Sequence, residues 1–148
     1  MSAGEGARVR PCLRCNQTCQ VRDARSPVVT CVVEPTSGRE TEDPDWYAPT
    51  IRPRDVLVVG AGVAGLEAAR VAALRGHRVR VVERGELVGG VAAVTGPGGL
   101  LVEWLAAECA TAGVEIEVGA DHTSARAGEV VIQATGGQPG RRGYAIAE

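Results

Sequence analysis

The feature that most constrains this chain is an unbroken succession of strand, glycine turn, helix and strand between residues 54 and 84. Asp55-Val56-Leu57-Val58-Val59 is a compact apolar run, as expected of a parallel strand buried on both faces. Gly60-Ala61-Gly62-Val63-Ala64-Gly65 follows it and fits G-x-G-x-x-G. Val63 to Arg75 reads as a helix rich in Ala and Leu, closed by Gly76. Arg78-Val79-Arg80-Val81-Val82-Glu83 reads as the second strand. Its terminal acid stands 23 residues after Gly60, close to the roughly 20 that separate glycine turn and acid in dinucleotide-binding folds.

A glycine-rich hexapeptide alone is a weak signal, and the flanking strand and helix give it weight. Each position has a physical task there. Gly60 permits the tight turn, Gly62 lets a pyrophosphate approach the backbone, and Gly65 lets helix and strand pack closely. The free N–H groups at the helix start attract phosphate. Glu83 accepts hydrogen bonds from ribose hydroxyls and repels a 2′-phosphate, which argues against NADP at this site. The expected ligand is the ADP half of a dinucleotide, with FAD the leading choice. Arg84 is placed either over the adenosine or in solvent. Gly89-Gly90 either brings a second stretch of backbone to the phosphates or forms a loop.

The rest of the chain extends the α/β pattern. Residues 85–99 contain six glycines and are expected to be mostly loop. Leu100 to Ala112 reads as a helix stopped by Gly113, residues 114–118 as a strand with one solvated face, and Glu129 to Gln133 as the last strand. That strand ends at Ala134-Thr135-Gly136. Strands alternating with helices imply a Rossmann-like parallel sheet over residues 54–148.

Residues 1–53 differ. They are polar, carry six of the eight prolines and sustain no period; Val28 to Val33 is the one candidate strand. The segment is too poor in apolar residues to build its own core. It needs a metal centre, a partner surface or the following domain to order it. Four of five cysteines fall here, as Cys12-x2-Cys15-x3-Cys19-x11-Cys31. Three close thiolates and a distant fourth suit an iron–sulfur cluster. Zinc is the rival, although structural zinc sites usually show two C-x2-4-C pairs. Cys109 reads as a small buried residue, and His77 and His122 carry no assigned role.

Net charge is −2, which gives no reason to expect nucleic acid or an acidic membrane. No apolar run is long enough to cross a bilayer, and residues 1–12 lack the apolar stretch of a signal peptide. The expected location is cytoplasmic. All basic side chains other than the two histidines are arginine, which reads as a compositional bias.

Taken together, two sets of residues resemble one family. The first is Arg10-Pro11-Cys12, Cys15-Asn16-Gln17, Cys19, Cys31 with Pro35, and Gly38-Arg39-Glu40. The second is Val58 to Gly62, Glu83-Arg84-Gly85, Gly89-Gly90 and Ala134-Thr135-Gly136. In this order they resemble the 2,4-dienoyl-CoA reductase and trimethylamine dehydrogenase branch of the old yellow enzymes, which includes mycofactocin-associated oxidoreductases. The resemblance implies a 4Fe-4S cluster on Cys12, Cys15, Cys19 and Cys31, and FAD or ADP at the glycine turn. In that family an FMN-bearing TIM barrel comes first. Its reductases pass electrons from NADPH through FAD and the cluster to FMN, and its amine dehydrogenases pass them outward from FMN.

Departures bear on the role. Eleven residues precede Cys12, so neither barrel nor FMN site is expected in this chain, nor the inserted NAD(P)H domain and second FAD half after Gly136. Val63 replaces the usual proline, and the stretch from Gly90 to Trp104 is short. Glu34 replaces the usual asparagine, adding a negative charge near Cys31. The expectation is an electron-transfer component that serves a separate FMN-binding TIM-barrel chain or another redox partner. The alternatives are a non-catalytic ADP/FAD-binding module or a degenerate fragment, zinc-stabilised in one version. No acid, base or nucleophile constellation stands outside these motifs.

Overall fold

The computed structural model describes residues 6, 9–20, 28–120 and 124–137. Its centre is a four-stranded, wholly parallel sheet of β1 (Asp55–Val59), β2 (Arg78–Glu83), β3 (Glu115–Val118) and β4 (Val130–Gln133). The strand order is β3-β2-β1-β4. Two helices, α1 (Val63–Leu74) and α2 (Gly96–Thr111), make the crossovers from β1 to β2 and from β2 to β3.

The alternation of each strand explains its composition. Val56 and Val58 of β1 and Val79 and Val81 of β2 face the helices, where Leu66, Ala69, Leu105 and Cys109 close the core. Leu57 and Val82 point to the opposite face and are still 1% and 2% exposed. Both faces of β1 are therefore shut off from water, and its run is continuously apolar. The outer strands β3 and β4 keep mostly exposed positions, with Ile116 and Ile132 partly buried against the core.

Both helices stop by the same device. Gly76 and Gly113 adopt φ of +90° and +76°, a region open to glycine at little cost. The N–H of each glycine and of the next residue then bonds back to the last turn, as in His77 N to Ala72 O at 3.1 Å and Val114 N to Cys109 O at 3.0 Å. These bonds satisfy carbonyls that would otherwise be orphaned. Helix α1 ends at Leu74, one residue short of expectation, which is ordinary fraying.

Two expectations are corrected. Residues 85–99 are not mostly loop: a 3-10 helix spans Gly90–Val94, and α2 begins at Gly96 with proline in its first turn. The glycines there serve close packing, since a Cβ on Gly98 would stand 2.6 Å from the Ala92 carbonyl oxygen. Nor do residues 28–33 form a strand. They pair with no sheet edge and lie instead against Gly38, where an added Cβ would meet Val28 Cγ1 at 2.6 Å. Among the described residues no helix is long and apolar enough to cross a membrane.

Candidate functional site: a phosphate cradle and a cysteine-bearing arm

The carboxyl ends of β1 and β4 flank the point where strand order reverses, the usual ligand crevice of an open α/β sheet. Three separate stretches of chain meet there. Gly60 N bonds to Val82 O and Ala134 N to Val59 O, both at 2.8 Å. An added Cβ on Gly60 would meet Ala134 C at 2.8 Å and Thr135 Cα at 3.1 Å. Residues Ala134, Thr135 and Gly136 thus lie directly against the glycine turn. The third stretch docks through Gly89, whose N–H donates to Ala61 O at 2.7 Å and which pairs with Gly62 in a short parallel bridge. Gly90 follows on the same side, where its Cβ would be 3.8 Å from Gly62 Cα.

The glycines differ in what hems them in. A Cβ on Gly65 would collide with the Gly60 carbonyl and meet Ala134 Cβ at 3.3 Å. Gly62 has nothing within 4 Å of an added Cβ among the described residues, which leave the space over it open to a ligand. Helix α1 starts at Val63 with no side-chain cap and no acid in its first turn. Ala64 is exposed. The start of the helix keeps its positive end towards the open space over Gly62.

Glu83 sits at the lip of this cradle. Its Oε2 accepts from Ala61 N at 2.7 Å and its Oε1 from Gly85 N at 2.8 Å. Each oxygen keeps a further lone pair for another donor. The carboxylate therefore braces the glycine turn. Arg84 is exposed beside it.

The cysteines are arranged otherwise. Cys12, Cys15 and Cys19 are exposed, Cys31 is half-buried, and none is in a disulfide. Cys12 Sγ accepts from Arg14 N at 3.3 Å. Arg14 and Asn16, on either side of Cys15, hold φ of 56° and 53°. Four thiols with an N–H aimed at one sulfur are a donor set suited to an iron–sulfur cluster. Among the described residues, however, no group of three or more His, Cys, Asp or Glu side chains is arranged to hold a metal ion. The chemistry of the set fits; its sulfurs are not gathered. Cys109 lies in the core, its Sγ donating to Leu66 O at 3.3 Å, and burial pushes its thiol up to about 11. His77 Nδ1 accepts from Arg54 N at 3.1 Å, before the start of β1 and away from the cradle. His122 lies outside the described residues.

The sequence reading missed a cluster of charge and aromatic rings between the cysteine arm and the helices. Arg10 and Arg70 stand over the Trp104 ring at 4.7 and 5.3 Å from its centroid. Glu67 Oε1 accepts from both, at 2.8 and 2.9 Å. Tyr47 Oη accepts from Arg70 at 3.1 Å. Burial pushes the Glu67 carboxyl up, but hydrogen bonds from Arg70 and Arg10 outweigh it and hold the group below its ordinary value. The one sequence signal was Glu67 and Arg70 at i, i+3 on a helix otherwise of small apolar residues.

The described fold agrees with comparisons to known proteins. Residues 33–140 match the family model for pyridine nucleotide-disulphide oxidoreductase. A metal reductase of Desulforamulus reducens is 42% identical over 129 residues, which cover 83% of this chain and 19% of that one. A cinnamate reductase of Clostridium sporogenes is 38% identical, covering 89% of this chain and 21% of its own length. Among solved structures, a 2-naphthoyl-CoA reductase superposes with a TM-score of 0.77 at 31% identity, covering 88% of this chain and 21% of that one. A histamine dehydrogenase of Rhizobium sp. 4-9 gives 0.65 at 30% identity, covering 78% and 18%. The chain spans about a fifth of the length of the curated relatives it matches. It belongs to the pyridine nucleotide-disulphide oxidoreductase family, within the 2,4-dienoyl-CoA reductase and trimethylamine dehydrogenase branch.

Proposed function

We propose that this chain is an electron-transfer component: it holds the ADP part of FAD at the cradle and a 4Fe-4S cluster on Cys12, Cys15, Cys19 and Cys31. It serves an FMN-binding TIM-barrel chain or another redox partner in the cytoplasm. The observation that carries the reading is the cradle itself. Residues 60–65, 89–90 and 134–136 converge on open space over Gly62, at an uncapped helix start.

FAD and the cluster supply the electron-carrying chemistry when bound, and the chain supplies position and electrostatics. Backbone N–H groups at the start of α1 hold the pyrophosphate. Glu83 keeps a lone pair on each oxygen for the ribose hydroxyls, and its charge turns away a 2′-phosphate. Arg14 N donates to Cys12 Sγ at 3.3 Å and so orients that sulfur. Cys12, Cys15, Cys19 and Cys31 would hold the cluster as thiolates.

The ungrouped sulfurs favour a second reading, a non-catalytic ADP/FAD-binding module or degenerate fragment, zinc-stabilised or metal-free. Anaerobically purified protein, loaded with FAD and reduced with dithionite, separates the two. The component transfers electrons to a one-electron dye acceptor and loses this ability when Cys12→Ser removes one ligand. A module binds FAD or ADP with equal strength in both forms and reduces the dye no faster than free FAD does.

A further inference from the structure

We infer that Arg10 is a clasp: one guanidinium holds together the two arms that carry the cysteines and seats them on the nucleotide-binding fold. Cys12, Cys15 and Cys19 stand on the first arm and Cys31 on the second. Arg10 precedes Cys12 by two residues, and its Nη1 donates to the carbonyl of Val33, two residues beyond Cys31. Its Nε is 3.6 Å from Glu34 Oε2. Its Nη2 donates to Glu67 of α1 at 2.8 Å, and its flat face lies over Trp104 of α2. One side chain thus touches the first arm's root, the second arm, α1 and α2. It is the planar fork of arginine that permits this, because a lysine ammonium is a single point with no face to stack.

The charges around the clasp balance. Arg10 and Arg70 supply two positive groups, and Glu67 and Glu34 two negative ones. Glu34, whose charge the sequence places near Cys31, is thus partly neutralised by Arg10 and held in a turn by Thr36 Oγ1 at 2.7 Å. The Arg10 side chain is 10% exposed, so its hydrogen bonds are sheltered from water and its removal would leave partners unsatisfied. Among the described residues a further tie between the arms is one neutral bond, Thr18 Oγ1 to Thr30 O at 2.9 Å. Leu13 and Val33 pack beside the core as the arms come in.

No ligand set and no nucleotide motif includes Arg10. Its role is to position: four thiols spread over twenty residues must meet at one group, and a pre-formed tie removes part of the entropy of bringing them together. This role rests on the cluster reading for one of its two readouts only.

The test compares the wild type with Arg10→Ala, Arg10→Lys and Glu67→Gln. The first readout is amide hydrogen exchange on metal-free protein. Arg10→Ala speeds exchange in residues 34–39 about tenfold, the scale of one lost charged hydrogen bond, and leaves β1 and β2 unchanged. Arg10→Lys behaves like Arg10→Ala. Glu67→Gln, which keeps the Val33 tie, changes residues 34–39 less than threefold. Uniform acceleration across the sheet, no acceleration at all, or Glu67→Gln matching Arg10→Ala would each overturn the clasp. The second readout is survival of the reconstituted cluster's visible absorption against a chelator, shortened about tenfold by Arg10→Ala. If the wild type takes up no cluster, the cluster reading fails, and the exchange data alone still decide on Arg10.

Discussion

Between residues 55 and 137 the main chain carries the fold. Four strands pair in register, two helices close with glycine caps, and Leu57, Val58, Leu66 and Leu105 are almost wholly out of water. Between residues 9 and 53 local backbone turns, such as Arg39 N to Thr36 O at 3.1 Å, and side-chain ties carry it. No strand or α-helix forms among the described residues there, and order comes from these turns together with Arg10, Thr18 and turn-forming carboxylates such as Glu34 and Glu40. The first region resembles a mould that is finished before its ligand arrives. The second holds four thiols that are not gathered at one point among the described residues. The contrast follows from apolar content: a region that buries its own core can preset a backbone cradle, and one that cannot must borrow order from contacts.

The contrast is tested most severely at the glycines. Gly65→Ala places a methyl against the Gly60 carbonyl and costs about 3 kcal/mol by overpacking, read as a fall in melting temperature with loss of ADP binding. Gly62→Ala meets nothing within 4 Å, so its stability stays within about 0.5 kcal/mol of wild type. Its methyl occupies the pyrophosphate space, and calorimetry shows ADP affinity falling more than about tenfold. If Gly62→Ala binds ADP normally, the open space is not the ligand site.

A smaller effect is expected at Glu83. Glu83→Gln leaves one of Ala61 N and Gly85 N facing an amide N–H in place of an oxygen. ADP affinity falls about tenfold and the melting temperature also drops. A drop in affinity alone would mean that Glu83 does not brace the turn.

Thiol reactivity sharpens the comparison from the other side. In metal-free protein at neutral pH, Cys12, Cys15 and Cys19 react with iodoacetamide first, because they are exposed. Cys109 reacts only on unfolding, since burial raises its thiol to about 11. Mass spectrometry of the labelled peptides checks this, and native labelling at Cys109 would show the core to be open.

The mildest effect concerns acid. Hydrogen bonds from the Arg80 guanidinium, and a weaker one from Arg126 N, hold the Glu129 carboxyl down at about 2. A depressed carboxylate contributes stability above its unfolded value, about 4.3, and loses it as pH falls towards the folded one. Melting temperature should therefore decline between about pH 4.5 and 2, and Glu129→Gln should flatten that limb. An unchanged slope would remove Glu129 from the account.

Most of the sheet was legible in the sequence because its constraints are local. Val58-Val59 before Gly60, Gly76 after the helix and Glu83 at the strand end each announce one element, and β1 and β2 fall at the expected residues. The glycines of 85–99 misled, since glycine signals loop by composition and here serves close packing around Gly89 and Gly98. That residues 89–90 and 134–136 belong with residues 60–65 comes from the family resemblance and, for Gly89-Gly90, also from one of two local readings; the strand order that brings them together is encoded by no local pattern. The Arg10, Glu67 and Trp104 cluster was illegible for the same reason: its members are 57 residues apart at the hydrogen bond and share no motif. Cysteine spacing disclosed a donor set and left its closure unstated.

The proposed cluster on Cys12, Cys15, Cys19 and Cys31 stands or falls on the metal content of the chain. The most direct measurement is iron, zinc and acid-labile sulfide counted on protein purified without oxygen, beside its absorption spectrum. The account predicts about four irons and four sulfides per chain, with a broad band near roughly 400 nm that bleaches on reduction. Zinc without sulfide, or a colourless and metal-free chain, would contradict it and leave only the nucleotide-binding half of the function standing.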